Sequence, residues 1–500
     1  MKIRVLPLGA EVEAAPGQAL QDVLFPLGVE FPCGGRGRCK GCRVRVLEGS
    51  LAPHAMDREV FTEAELAEGW RLSCRARVEG DLVLQVRQWD TLILDDNSPV
   101  AFDPQEGFGI AVDLGTTTVV AQLLDLSNGQ VRAVRTGLNA QAKRGADVMS
   151  RLEYAMNCGA AELQQTVNAQ LARMTTELVT NAGIAWEQLR QVTIVGNTVM
   201  QHLMYGFPLP QLALAPHEPH TLEEQRSPAP ALGWPVPEHV IVRFLPNLGG
   251  FVGSDILGVI LATRMLESDE LVAAADLGTN GEIAAGDKNG ILVSSTAAGP
   301  AFEGGKIELG MRAGKGAISR VSVVDHHLDV QVIGGGAPRG LCGSGLLDAV
   351  AAGLDLGLIQ PTGRITDSDR MMIQEPVYIT QRDVRELQLA KAAIAAGLRL
   401  ILEEMGKEIQ EVKRFYLAGA FGNTLGVESA EKIGLFRFGK ERTVPVGNSA
   451  LRGAKIALLS RDGQISENVR QRVRFQNLSA RPRFQELFGE EMYLSPEPLY

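Results

Sequence analysis

The chain opens on strict alternation. KIRVL at 2–6 sends every second side chain to one face, as a half-buried strand does, and CRVRVLEG at 42–49 and DLVLQVRQW at 81–89 repeat the pattern. Between them TEAELAEGW at 62–70 reads as a short helix capped by Thr62. From residue 107 the rhythm changes to longer apolar runs broken by glycine turns. GFGIAVDLGTTTVVAQLLDL at 107–126 predicts strand, tight turn, strand, and ELVAAADLGTNGEIAAGDKNG at 270–290 repeats it, with Asp-Leu-Gly-Thr at 113–116 and again at 276–279. QVTIVGNTVMQHLMYG at 191–206 predicts a strand entering a helix capped by Asn197 or Thr198. GGGAPRGLCGSGLLDAVAAG at 334–353 predicts a glycine turn entering a helix, and RFYLAGAFGNTLG at 414–426 a strand and glycine turn. The longest amphipathic run, 379–406, carries Thr380 and Asp383 placed as a capping box, with Gly406 as its stop.

Length and composition permit two or three domains: 500 residues, 45% of them hydrophobic, can bury several cores. The 55 glycines are scattered singly and in pairs, which points to tight turns and close backbone approaches and not to low complexity. A net charge of −10 gives no global attraction to nucleic acid or anionic lipid, so neither is expected as a partner. The amino terminus lacks a signal-peptide pattern and no eighteen-residue apolar run occurs, so a cytoplasmic protein with no membrane contact is expected. Residues 88–106 mix acids, prolines and one short apolar run, as a partly ordered connector does. The expected division is 1–87, a linker at 88–106, and 107–500, the last with lobes at about 107–265 and 266–460 and a C-terminal extension at about 461–500.

Four of the six cysteines fall in the first 74 residues. Cys33, Cys39 and Cys42 share one glycine-rich loop and Cys74 arrives from a later segment. Converging thiolates in a loop whose backbone amides can turn toward sulfur suit a 2Fe-2S cluster. Structural zinc is the alternative, but it favours two paired C-x2-4-C units over three ligands in one loop. The x5 spacing after Cys33 resembles the adrenodoxin-like ferredoxins, and the surrounding strands match a β-grasp ferredoxin domain. Arg36, Arg38, Lys40, Arg43, Arg45, Arg71, Arg75 and Arg77 surround the cysteines, either as ordinary solvated arginines or as a docking rim for an acidic partner.

The two Asp-Leu-Gly-Thr hairpins present a carboxylate beside free backbone amides, which suits hydrated Mg2+ on one side and phosphate oxygens on the other. No G-x-x-x-x-G-K-[ST] loop occurs. The pair resembles the actin, sugar-kinase and heat-shock-chaperone superfamily, which implies a two-lobed, actin-like, duplicated (ribonuclease H-like) ATPase domain of α/β class. The alternative is a duplicated domain that keeps its glycines for packing alone. His202 is expected to be a hydrogen-bonded structural histidine, Cys158 and Cys342 small packing residues, and Asp255 an acid placed to suit a helix dipole, with a catalytic role as the competing reading.

Segments VGNTVMQHLMYG, FLPNLGGFVGSDIL, STAAGPAFEGGKIELGMRAGKGAI, LCGSGLLDA, DVRELQLAKAAIAAG, FYLAGAFGN and GNSALRGA, behind a ferredoxin-type front, resemble the ATP-dependent reductive activators of corrinoid proteins. Some relatives carry an extra domain between ferredoxin and ATPase; fewer than twenty-five residues separate them here. The resemblance implies a corrinoid methyl-carrier protein as partner, an upstream reductase or ferredoxin as electron source, and one-electron reduction of cobalt(II) to cobalt(I), with a homodimer left open. A gap of about 100 mV disfavours the reduced cobalt ~50-fold, or ~2.3 kcal/mol, within the range that coupling between sites supplies. Cys33, Cys39, Cys42 and Cys74 would hold the cluster. Asp113 and Asp276 would face hydrated Mg2+, with Asp276 or Glu282 orienting the attacking water. Gly115, Thr116, Thr117, Gly278, Thr279 and Asn280 would hold the phosphates of ATP, Gly419 and Gly422 would border adenosine, and Gly343 and Ser344 would add to the site. A small-molecule kinase with a regulatory cluster, an ATP-independent electron carrier and an activator of a radical dehydratase are the competing functions.

Overall fold

A computed structural model describes residues 1–6, 10–27, 29, 31, 35, 37, 42–86, 96, 98–278, 280–366, 368–461, 463–478 and 480–497. The alternating segments at the front form one sheet of β1 (Lys2–Leu6), β2 (Ala10–Glu13), β3 (Arg43–Glu48), β4 (Trp70–Leu72) and β5 (Leu82–Val86), in the order β2-β1-β5-β3-β4. Its central β1 and β5 run parallel and the other pairs antiparallel. Ile3, Val5, Val44 and Leu84 bury one face against Leu20 and Leu24, as the alternation predicts, in the β-grasp arrangement that the ferredoxin resemblance implies. Thr62 caps its helix as expected: its hydroxyl accepts from the Glu65 amide and the Glu65 carboxylate accepts from the Thr62 amide.

The rear of the chain repeats one topology. β6 (Phe108–Leu114), β7 (Thr118–Asp125), β8 (Val131–Leu138), β9 (Leu189–Gly196), β10 (Gln225–Pro228) and β11 (Ile241–Phe244) order as β10-β11-β9-β6-β7-β8. The second half contains β12 (Val272–Leu277), β13 (Gly281–Asp287), β14 (Gly290–Thr296), a side sheet of β15 (Ala317–Val324), β16 (His327–Val332) and β17 (Gly340–Leu341), a hairpin of β18 (Arg370–Gln374) and β19 (Val377–Thr380), then β20 (Arg414–Ala418), β21 (Thr443–Gly447) and β22 (Val473–Phe475). Its main sheet orders as β21-β20-β12-β13-β14-β22. In each half an antiparallel three-strand meander is extended by two parallel strands, so β6 corresponds to β12 and β9 to β20. The register agrees too: Asp113 lies opposite Val195 of β9, and Asp276 opposite Ala418 of β20.

Six helices position the site: α1 (Ala160–Ala182), α2 (Thr198–Tyr205), α3 (Ser254–Thr263), α4 (Gly343–Asp355), α5 (Gln381–Glu404) and α6 (Ser449–Leu459). Helices α3 and α6 cross between the two main sheets, and Ile256, Ile260, Leu451 and Leu458 share a core with Ala111 and Val120 of the first and Ala274 and Ala284 of the second. Glycine is required at the crossing, because a Cβ on Gly453 would lie 2.1 Å from the Gly258 Cα. Although α6 comes late in the chain, it packs across β6 and β9 of the first half.

The described end of the connector is firmly held: the buried Asp96 carboxylate lies 2.8 Å from Lys455 Nζ and 3.0 Å from Arg452 Nη2 on α6, and its carbonyl accepts from Gln122 of β7. Two expectations are revised. Cys158 is exposed and not a packing residue, because it sits on the outward side of a π-helical turn, Ala155–Gly159, ahead of α1. The glycine turn after β20 is a short helix, Gly419–Thr424, entered by Gly419 at φ +83°. The segment beyond 461 also builds into the second half: β22 extends β14, and the helix Pro482–Glu491 lies along α5, where buried Glu491 meets Lys391, Arg399 and Arg437. No helix among the described residues is long and apolar enough to cross a membrane.

Candidate functional site

The two hairpins meet across a cleft of about 470 Å³, within the range of small-molecule sites. The β6–β7 turn places Asp113 and residues 115–117 on one wall, and the β12–β13 turn places Asp276, Gly278 and Asn280 on the other. Gly115 is demanded by its turn, since a Cβ there would lie 2.7 Å from the Thr118 carbonyl. Glu282 stands opposite Asp276 in the β12–β13 register and also faces the cleft. Gly343 and Ser344 open α4 on the same cavity, and a Cβ on Gly343 would lie 1.8 Å from the Phe302 carbonyl, so only glycine lets the helix N-terminus come this close. Phe302 and Phe421 stack at 4.7 Å beside it. Gly419 lines the wall; a Cβ there would lie 2.5 Å from Asp276 Oδ1. Gly422 is one turn further on, packed against Leu417 and off the cleft wall. Thr279 lies outside the described residues.

Two groups join the cleft that the motifs did not single out as binding residues. Asp255, in the first turn of α3, turns into the cavity with Asp113, Asp276 and Glu282. Asn448, which caps α6, donates from Nδ2 to Asp113 Oδ2 at 3.0 Å while its Oδ1 accepts from the Leu451 amide. Asp255 lies in the first turn of α3 and Asn448 is the cap of α6, so both crossing helices begin at the cleft. For Asn448 the local signal is an asparagine set directly between β21 and α6, as a cap is; no local signal aims Asp255 into the cleft.

Burial raises the pKa values of all four carboxyls, and neighbouring carboxylates add to the rise at Asp113, Asp276 and Glu282. Burial, with Asp255 nearby, pushes Asp113 up to about 7 despite the Asn448 hydrogen bond. Burial, then the charges of Asp255 and Asp113, push Asp276 to about 7. Burial moves Asp255 to about 6 against hydrogen bonds from backbone amides, and burial plus Asp255 and Asp276 holds Glu282 well above the ordinary carboxylate range. Acids gathered at this cost suit a cation. Among the described residues no three His, Cys, Asp or Glu side chains converge tightly enough to coordinate one ion directly, so the donor set fits an ion held through its water shell.

At the front, β3 begins directly after Cys42 and pairs antiparallel with β4, setting Arg43 opposite Leu72 and bringing Cys42 beside the turn that carries Cys74. Ser73 fixes the approach by donating both its amide and its hydroxyl to the Cys42 carbonyl, at 3.2 and 2.7 Å. Gly35 and Gly37, between the first two cysteines, both have φ +75°. Cys33 and Cys39 lie outside the described residues. The described pair and the positive-φ glycines fit the loop of a thiolate-held cluster.

Residues 3–79 match the 2Fe-2S iron-sulfur cluster binding domain, 108–268 the RACo middle region, and 270–499 the C-terminal domain of RACo, the ASKHA domain. The corrinoid activation enzyme RamQ of Eubacterium limosum is 30% identical, over 92% of this chain and 93% of its own. The chain belongs to the RACo family of reductive activators. Within the family it is also 26% identical to a [Co(II) methylated amine-specific corrinoid protein] reductase of Methanosarcina barkeri, over 71% of this chain and 70% of that one. A solved structure described as a reductive activator for corrinoid,iron-sulfur protein superposes with TM-score 0.70 at 27% identity, covering 99% of this chain and 98% of that chain. The RACo-family match agrees with the expected fold class, a ferredoxin front and an actin-like ATPase behind it.

Proposed function

We propose that this RACo-family chain uses ATP hydrolysis to drive one electron onto a corrinoid methyl-carrier protein, returning cobalt(II) to cobalt(I). The observation that carries the reading is a duplicated, four-carboxyl nucleotide cleft on the same chain as a ferredoxin-type cysteine seat. When bound by Cys33, Cys39, Cys42 and Cys74, a 2Fe-2S cluster supplies the electron, and a cytoplasmic reductase or ferredoxin upstream replaces it. ATP and water become ADP and phosphate, with no electron passing through the nucleotide.

The residues divide the work by position. Residues 115–117 and 278–280 offer backbone amides and hydroxyls to phosphate oxygens. The N-terminus of α4 at Gly343 and Ser344 adds a favourable dipole, and Gly419 leaves room beside Asp276. Asp113 and Asp276 hold the water shell of Mg2+, and Asp276 or Glu282 orients the attacking water. Asn448 fixes the Asp113 carboxylate from the crossing helix, so a change at the carboxylate is felt by α6. Because Asp113 and Asp276 titrate near 7, cation binding at neutral pH releases protons.

The test mixes the reconstituted protein with ATP, a chemical reductant and a cobalt(II) corrinoid protein, and follows the cobalt(I) absorption. An ATP-dependent cobalt(I) band is expected. Equal reduction with and without ATP would return the chain to a simple electron carrier. A phosphorylated small molecule formed without any protein partner would make it a kinase. Unimpaired ATP turnover in Asp276→Ala would remove the assigned roles while leaving the coupled reaction open.

A further inference from the structure

Arg151 has no assigned role and an unusual setting. It is fully buried, in the helix Val148–Tyr154, and no carboxylate forms an ion pair with it among the described residues. Its guanidinium instead ties three separate segments together. Nη2 donates to the carbonyl of Thr116 in the first cleft turn, Nε to the Gly145 carbonyl at 2.9 Å, and Nη1 to Gln141 Oε1 at 3.4 Å and to Met200 Sδ of α2 at 3.3 Å. Asn139 reinforces the link, donating from Nδ2 to the Gly115 carbonyl at 2.9 Å and from its amide to the Thr117 carbonyl at 2.8 Å. Segment 139–145 is therefore held to the backbone of residues 115–117 directly at the Gly115 and Thr117 carbonyls and through Arg151 at the Thr116 carbonyl.

The other side of that segment is the seat of the cluster-bearing domain. Leu138, Ala140 and Ala142 pack against the ferredoxin core. Gln21 donates to the Lys143 carbonyl at 3.0 Å, and Lys143 Nζ reaches Asp22 at 3.1 Å and lies over the Phe25 ring. Gln21 in turn packs on the cysteine loop, where a Cβ on Gly35 would come within 2.8 Å of its Oε1. The second lobe makes a parallel connection: Thr117 Oγ1 donates to Glu303 at 3.1 Å, and five residues on the Glu308 carbonyl accepts from Arg43, the neighbour of Cys42, at 2.9 Å. Arg43 is thus committed inside the chain and does not belong to an open docking rim.

We propose that Arg151 is a positioning residue that carries the state of the phosphate-holding turn to the seat of the ferredoxin domain, so that bound nucleotide sets how the cluster is presented to the corrinoid partner. A buried guanidinium suits this work because rigid, planar donors hold several carbonyls in fixed relative orientation, and any shift of one acceptor must move the others or leave a buried charge unsatisfied. The inference rests on the ATP-dependent reading above.

Hydrogen exchange of the full-length, cluster-loaded protein tests it, with a non-hydrolysable ATP analogue and Mg2+ as the probe and calorimetry as the check on binding. In the natural chain, saturating analogue is expected to change exchange at 138–145 and at 17–27 by about fivefold or more. Arg151→Lys, which keeps the charge but not the fork, is expected to bind analogue yet lose both responses. Gln21→Ala combined with Lys143→Ala, far from the cleft, is expected to keep the response at 138–145 and lose it at 17–27. This pair also decides the matter if Arg151→Lys does not fold. Analogue binding with no change at 17–27 in the natural chain, or an unaltered response there in either variant, overturns the relay and leaves ATP-driven reduction standing. No analogue binding at all overturns that reading and the relay with it.

Discussion

Replacing Asp276 by asparagine should stabilise the nucleotide-free protein while abolishing ATP turnover. Asp276 shares a partly buried cleft with Asp113, Asp255 and Glu282, and burial followed by the charges of Asp255 and Asp113 raises its pKa from 3.8 to about 7. Folding raises this pKa, so between about pH 4 and 7 the folded chain keeps a proton that the unfolded chain has lost. Stability therefore falls as pH rises through that window and is flat above it. The cost of ionising Asp276 is at most about 4 kcal/mol at about pH 8 and about 2 kcal/mol at about pH 5.5. The asparagine keeps the shape and removes the charge, so urea denaturation should show a gain that is larger at the higher pH. Saturating Mg2+ and ATP should narrow the difference at the higher pH, because the cation offsets the repulsion only in the natural chain. A gain that is absent, or equal at both pH values, would refute the electrostatic account of the cleft. A variant that still hydrolysed ATP at the natural rate would refute the catalytic one.

Other substitutions probe how the lobes are held. Glu491→Ala leaves Lys391, Arg399 and Arg437 without their shared carboxylate and should cost about 3–5 kcal/mol, read as a lower urea midpoint and early proteolysis of the C-terminal helix. Asp96→Ala strips the counter-charge from buried Lys455 and should cost about 3 kcal/mol or more, with new cleavage in residues 98–106 as the direct sign that the connector has left α6. Gly453→Ala forces apart helices whose backbones meet at Gly258; it should weaken ATP binding in calorimetry, although residue 453 lies on the helix crossing and not on the cleft wall.

Local chemistry was legible in the chain. Alternation marked the ferredoxin strands because a strand buried on one face has no other periodicity. Thr62, and Thr380 with Asp383, marked helix starts because capping is a contact between residues a few positions apart. The two Asp-Leu-Gly-Thr hairpins and the cysteine spacing pointed to a nucleotide cleft and an iron-sulfur loop because turn geometry and ligand reach are set within a few residues. What the sequence could not decide was which distant groups converge. Asp255 read as a helix-dipole acid with a catalytic role as the competing reading, and only the placement of α3 sets it in the cleft with Asp276. Asn448 reaches Asp113 across 335 residues. Arg151 carried no motif at all, since its role comes from four acceptors on three segments. These depend on the crossing of α3 and α6 between duplicated sheets and on the seating of one domain on another. Such contacts are fixed by the packing of whole elements and leave no periodicity or local pairing in the chain to be read.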